Sequence, residues 1–126
     1  MNPAPGFKKY PRHRVTTHPS ASRVQVKYQG ELIADTREAV ELHESMSSDH
    51  VLAPVVYYIP RKDVKMERLA KTGHRTHCPF KGDASYFSVV NGAENAVWSY
   101  EAPYDEMEAI RERLAFYPDK FEIRSS

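Results

Sequence analysis

The chain has a single cysteine, Cys78. A disulfide within the chain is therefore impossible, which excludes the disulfide-stapled scaffolds of small secreted domains. A lone thiol is the pattern of a reducing compartment, so a cytoplasmic location is expected. No apolar run approaches the roughly 20 residues that a membrane-crossing helix needs. The first residues also lack the apolar stretch of a secretory signal. Excess charge of one sign is missing too: 18 Lys and Arg face 17 Asp and Glu, a formal net charge of +1. That balance provides no overall field for nucleic acid or an anionic lipid surface. Only five glycines are present, and none builds the G-x-x-x-x-G-K or G-x-G-x-x-G loops that cradle phosphates. A G-x-S-x-G nucleophile elbow is absent as well.

What remains is the length and composition of one ordinary globular domain, 126 residues with 40% hydrophobic and 28% charged. A chain of this size buries enough surface to fold without disulfides or metal. The charge is unevenly spread. Residues 1–20 carry Lys8, Lys9, Arg12 and Arg14 and no acid, which leaves −3 for the remainder. Pro3, Pro5, Pro11 and Pro19 interrupt the same stretch and Gly6 loosens it. Residues 1–22 are therefore expected to be a flexible basic tail, and 23–126 a single β-rich domain. A basic tail is a weak hint of an anionic partner, and a solvated tail is the favoured explanation.

Alternation marks the strands. Val24, Val26 and Tyr28 alternate with Gln25 and Lys27, Gln29-Gly30 supplies a turn, and Leu32-Ile33-Ala34 returns. Val40 and Leu42 suggest a third strand, and Glu44 to His50 is polar and loop-like. Val55 to Ile59 is a β-branched and aromatic run between Pro54 and Pro60, the signature of a buried strand. Residues 61–70 are ambiguous, and Gly73 to Ser85 has the composition of a loop. Tyr86 to Val90 and then Ala96, Trp98 and Tyr100 read as two strands joined at Asn91-Gly92, the strongest hairpin signal in the chain. One helix is expected over about 103–116, with Met107, Ile110 and Leu114 on one face and Pro118 ending it. Phe121 and Ile123 suggest a last strand. The sum is a mainly β domain with one helix packed on a sheet.

The densest reactive stretch is His74-Arg75-Thr76-His77-Cys78-Pro79-Phe80-Lys81-Gly82-Asp83. Three chemistries fit it. Cys78 is a candidate nucleophile, with His77 or His74 as base and Arg61, Arg75 or Lys81 lowering the thiol pKa. The bland alternative is a cysteine buried as a small hydrophobe. His74, His77 and Cys78 also form a partial metal set, but a structural zinc site wants four ligands, usually with paired cysteines. Thirdly, Arg61 and Lys81 could hold a phosphate or carboxylate, walled by Tyr57, Tyr58, Tyr86 and Trp98. Against this, Arg61 and Lys81 could simply pair with Asp63 and Asp83, and Trp98 could be core.

The runs Tyr57-Tyr58-Ile59-Pro60-Arg61-Lys62-Asp63-Val64, His74 through Val89, Asn95 through Tyr100 and Leu114 through Asp119 resemble the domain of unknown function 427 family. The resemblance covers about Arg23 to Ile123. It implies an Mss4-like or β-tent fold, two antiparallel β-sheets meeting at an angle. That group includes zinc-binding members, methionine sulfoxide reductases of the B type and small-molecule binders. This chain lacks the Cys-x-x-Cys pairs of the zinc members. The family is sometimes labelled nucleotidyltransferase-like, a chemistry that needs clustered carboxylates for magnesium, and the reactive loop offers Asp83 alone. The expected function is a site for a small anionic ligand, with no cofactor, in which Arg61, Lys81, Asp83, Tyr58, Tyr86 and Trp98 bind and Cys78, His77 and His74 react. The alternative is a non-enzymatic binding or interaction module.

Overall fold

The computed structural model describes residues 2–45 and 52–126. Residues 46–50 of the expected polar loop lie outside them. The short helix α1 (Gly6–Lys9) is followed by β1 (Arg14–Pro19), β2 (Val24–Tyr28), β3 (Glu31–Thr36), β4 (Val40–Ser45) and β5 (Val56–Tyr58). After two 3-10 turns, Arg61–Asp63 and Met66–Arg68, come β6 (Leu69–Cys78), β7 (Gly82–Val89) and β8 (Val97–Tyr100). A 3-10 segment, Asp105–Ile110, leads to β9 (Leu114–Phe116) and β10 (Glu122–Ser125). All pairings between these strands are antiparallel.

The strands form three sheets rather than two, in the orders β1-β4-β5, β10-β2-β3 and β6-β7-β8-β9. Two backbone links join them. Ile59 and Leu114 exchange reciprocal N–H to carbonyl bonds of 2.8 and 2.9 Å, an antiparallel bridge that sets the end of β5 beside the start of β9. Lys65 donates to the Ile33 carbonyl at 2.8 Å, which ties the chain after β5 to β3. The β2–β3 turn is Gln29-Gly30, both left-handed at φ 49° and 87°, the type I′ geometry that suits the strand twist. Asn91-Gly92 does join β7 to β8, but within a longer loop over 90–96.

Side chains of β7 alternate between two apolar clusters. Phe87 and Val89 join Val24, Val26, Ile33, Ile59, Leu114 and Phe116 on one face. Ala84 and Tyr86 join Val40, Leu42, Tyr58, Tyr100 and Ile110 on the other. The four-stranded sheet is thus covered on both sides.

Three expectations are corrected. No helix spans 103–116: the 3-10 segment Asp105–Ile110 kinks at Met107, and the chain then turns through Glu112 at φ 61° into β9. Met107, Ile110 and Leu114 are all buried, so their spacing reported burial correctly and geometry wrongly. Residues 73–85 are not a loop but most of the β6–β7 hairpin. The stretch 1–22 is not unstructured throughout, because β1 pairs with β4 along its whole length. Gly6 donates to the Pro79 carbonyl at 2.9 Å, and Asn2 and Ala4 donate to the carboxylates of Asp105 and Glu106 at 2.7 and 2.9 Å.

Leu114 is fully buried at the junction of β5 and β9. Leu114→Ala is expected to lower unfolding free energy by about 3 kcal/mol, measured by urea denaturation. Lys9→Ala, on the surface, should stay within about 0.5 kcal/mol of the parent.

Candidate functional site

The reactive stretch lies on β6 and the turn that follows, so neighbouring residues point to opposite sides. Cys78 packs against the cluster of Tyr58, Tyr86 and Tyr100. His77 faces the other way. Its Nδ1 lies 2.7 Å from Asp83 Oδ1, its cross-strand neighbour, and its Nε2 lies 3.4 Å from the Tyr104 hydroxyl. His77 therefore does not serve Cys78. His74 sits exposed with its ring edge-on to Tyr86, centroids 4.5 Å apart. Among the described residues, no three His, Cys, Asp or Glu side chains converge in a way that could hold a metal ion.

Lys81 is taken up by a buried charge cluster. Its Nζ donates to Glu44 Oε1 at 2.8 Å, and His13 Nε2 lies 2.7 Å from Glu44 Oε2. The three side chains are only 8–14% exposed. Phe80 stacks on the His13 ring at 3.8 Å. Burial pushes the Glu44 carboxyl up, but Lys81 and His13 together outweigh it and hold the group below its ordinary range. Nearby, burial drives the Tyr58 and Tyr100 phenols far above their ordinary value, and Glu44 and Cys78 push the same way. Both phenols are therefore neutral, and Tyr58 accepts from Trp98 Nε1 at 3.2 Å. Sequence reasoning missed His13 and Glu44. One lay in the expected tail and the other in the expected loop, and no local signal pairs them across 31 residues.

Arg61 works on the opposite face of the sheet. Its Nε donates to the Glu112 carbonyl at 2.7 Å, and one terminal nitrogen reaches Ser99 Oγ at 3.3 Å and Glu101 Oε2 at 3.1 Å. The guanidinium lies 5.4 Å from the Phe87 ring centroid. Glu101 Oε1 also accepts from Lys71 Nζ and Ser85 Oγ, each at 2.7 Å. Lys71 is the largest influence on Glu101; with help from Ser85 and Arg61 it overcomes burial and lowers the carboxyl to about 2. Arg61 thus pairs with Glu101 and not Asp63, whose carboxylate accepts from Thr36 Oγ1. Lys81 pairs with Glu44 and not Asp83.

Beside Arg61, Arg111 and Arg113 line an open cleft of about 250 Å³ with Pro60 and Glu112. Arg111 donates to the Glu101 carbonyl at 3.2 Å, and Arg113 to the Glu38 carbonyl at 2.6 Å. Trp98 belongs to neither polar centre. It lines an apolar pocket of about 260 Å³ where β2, β5, β8, β9 and β10 meet. Tyr86 places its hydroxyl 2.9 Å from Thr76 Oγ1.

The structure therefore gathers Cys78, Tyr58, Tyr86 and Tyr100 on one side of the sheet, with Lys81 nearby. It puts Arg61, His77 and Asp83 on the other. Residues 16–125 match the model of the domain of unknown function family DUF427. The chain belongs to the DUF427 family. A search of curated proteins found no match. In this DUF427 domain no helix of the described residues is long and apolar enough to cross a membrane.

The depressed Glu101 makes stability depend on pH with a definite sign. Its contribution is complete above the ordinary value of 4.5 and is lost as pH falls toward about 2. Between those limits the parent is expected to lose roughly 2 kcal/mol that Glu101→Gln does not lose, allowing for partial solvent screening. Urea unfolding across that range checks it. Lys81→Met should cost about 3 kcal/mol at neutral pH, because it strands Glu44 in a buried site, and thermal unfolding reads it.

Proposed function

We propose that this DUF427 domain is a non-enzymatic binding module for a small anionic molecule, held at the cleft of Arg61, Arg111 and Arg113. One observation carries the reading. Each of the three guanidinium groups has an N–H fixed to a backbone carbonyl, those of Glu112, Glu101 and Glu38. A carbonyl anchors a guanidinium without neutralising it; Arg61 and Arg111 are in addition ion-paired, with Glu101 at 3.1 Å and Glu108 at 3.0 Å, while each keeps a terminal nitrogen outside these contacts. The side chains are therefore pre-oriented, with other N–H groups left for a carboxylate or phosphate. The cleft lining holds three arginines and one acid, Glu112. Lys81, the second cation expected in such a site, is spent on Glu44.

Catalysis by Cys78 draws less support. Its neighbour His77 is engaged with Asp83 and Tyr104, and the sulfur side packs on tyrosines. A reducing, cytoplasmic setting agrees with the lone thiol. The Mss4-like or β-tent reading is compatible with the Ile59–Leu114 link, which merges two of the three sheets into one continuous surface facing the third.

The test is a titration with inorganic phosphate, followed by NMR of the arginine Nε–H groups. Saturable shifts at Arg61, Arg111 and Arg113 are expected. Arg111→Gln and Arg113→Gln should each weaken binding by about tenfold, the loss of one charge-assisted contact, and added salt should weaken it further. Cys78→Ser should bind as the parent does. If the arginine signals stay put, or if both glutamine variants bind phosphate unchanged, the reading fails. Loss of binding in Cys78→Ser alone would return the site to the thiol.

A further inference from the structure

We propose a second ligand site, independent of the arginine cleft: the apolar pocket at the meeting of the sheets takes an uncharged, largely apolar small molecule carrying a flat ring. Its walls come from Val26 of β2, Val56 of β5, Trp98 of β8, Phe116 of β9 and Ile123 of β10, with Pro54 and Pro118 among its lining residues. None of the lining residues is charged. An ion entering it would give up its hydration with no charged partner in the lining to replace it.

Several of the lining side chains are fixed by their own contacts. Trp98 is held on one side by the hydrogen bond from Nε1 to Tyr58 and on another by the Tyr117 ring at 4.5 Å. Val26, Ile59 and Phe116 are buried in the cluster beneath. The size is adequate, since an apolar protein cavity of about 150 Å³ already takes up benzene and stays dry when empty. This pocket, at about 260 Å³, has room for one ring and a short substituent.

Polarity also argues against a peptide as the occupant. A peptide entering the pocket would need hydrogen-bond partners for its N–H and carbonyl groups. The lining prolines have no N–H to offer and the indole N–H is committed to Tyr58, which leaves the Tyr57 hydroxyl as the lining's side-chain partner, too few for a peptide backbone. A small ring without such groups carries no penalty of that kind and gains contact with the aromatic walls.

Benzene, titrated into the full chain, is the probe. Methyl NMR should show saturable shifts confined to Val26, Val56, Ile59 and Ile123, with a matching change in the emission of Trp98, the single tryptophan. Val56→Phe fills the pocket and should weaken binding by at least about tenfold. Val55→Trp, placed at a lining position that is 40% exposed, provides a second block should Val56→Phe not fold. Arg113→Gln should bind benzene as the parent does, which separates this site from the phosphate reading. The proposal is overturned by the absence of saturable shifts, by shifts spread over methyls far from the pocket, or by equal binding in the folded filling variants. It is also overturned if the pocket signals respond to protein concentration alone, which would make a second copy the occupant.

Discussion

The reciprocal hydrogen bonds between Ile59 and Leu114 are the constraint on which the rest of the arrangement depends. They are made between fully buried residues, where an unpaired backbone group would be costly. Through them β5 and β9 become neighbours. Residues just beyond each partner then meet: Arg61 follows Ile59 by two positions, and Glu112 and Arg113 precede Leu114. Arg61 reaches the Glu112 carbonyl because of that pairing. On the other side of the same link, Val56 and Phe116 face the apolar pocket. One backbone pair thus sets a charged cleft at one end and an apolar pocket at the other.

The polar groups inside the fold follow a second rule, that a buried charge comes with partners. Glu44 and Glu101 each gather donors onto both carboxylate oxygens. Among the described residues no buried side-chain nitrogen or oxygen lacks a hydrogen-bond partner. The two centres lie against opposite faces of the β6–β9 sheet and differ in purpose. The Glu44 cluster tethers the N-terminal segment. The Glu101 cluster holds Arg61 in place beside the open cleft, while Arg61 keeps its own N–H groups toward Glu112 and Ser99.

Much of the fold was legible where one face of a strand is buried and the other wet. β2 shows it directly: Val24 and Val26 are fully buried and alternate with partly exposed Gln25 and Lys27. The signal fails at the edge strand β6, where Ala70, Lys71 and Gly73 to His77 are all exposed and the composition reads as loop. It fails again at 103–116, because a 3-10 turn followed by a strand buries Met107, Ile110 and Leu114 at spacings a helix would also give. Of the residues in the proposed arginine cleft, Arg61 stood out in the sequence from its place after a strand. Its companions did not, since Arg111 and Arg113 join it only through the Ile59–Leu114 pairing. The grouping of His77 with Cys78 was a property of sequence adjacency that the pleat undoes.

The anchoring of residues 2–19 has a temporal side. These residues leave the ribosome before their partners Val40 to Ser45, Pro79 and Asp105-Glu106, which are synthesised tens of residues later. At about 5–20 residues per second, this segment must wait for seconds before those partners exist. Its prolines and basic residues suit that interval, because they resist premature strand pairing and keep the nascent chain soluble. A segment made before all its partners is thereby among the last to find its place.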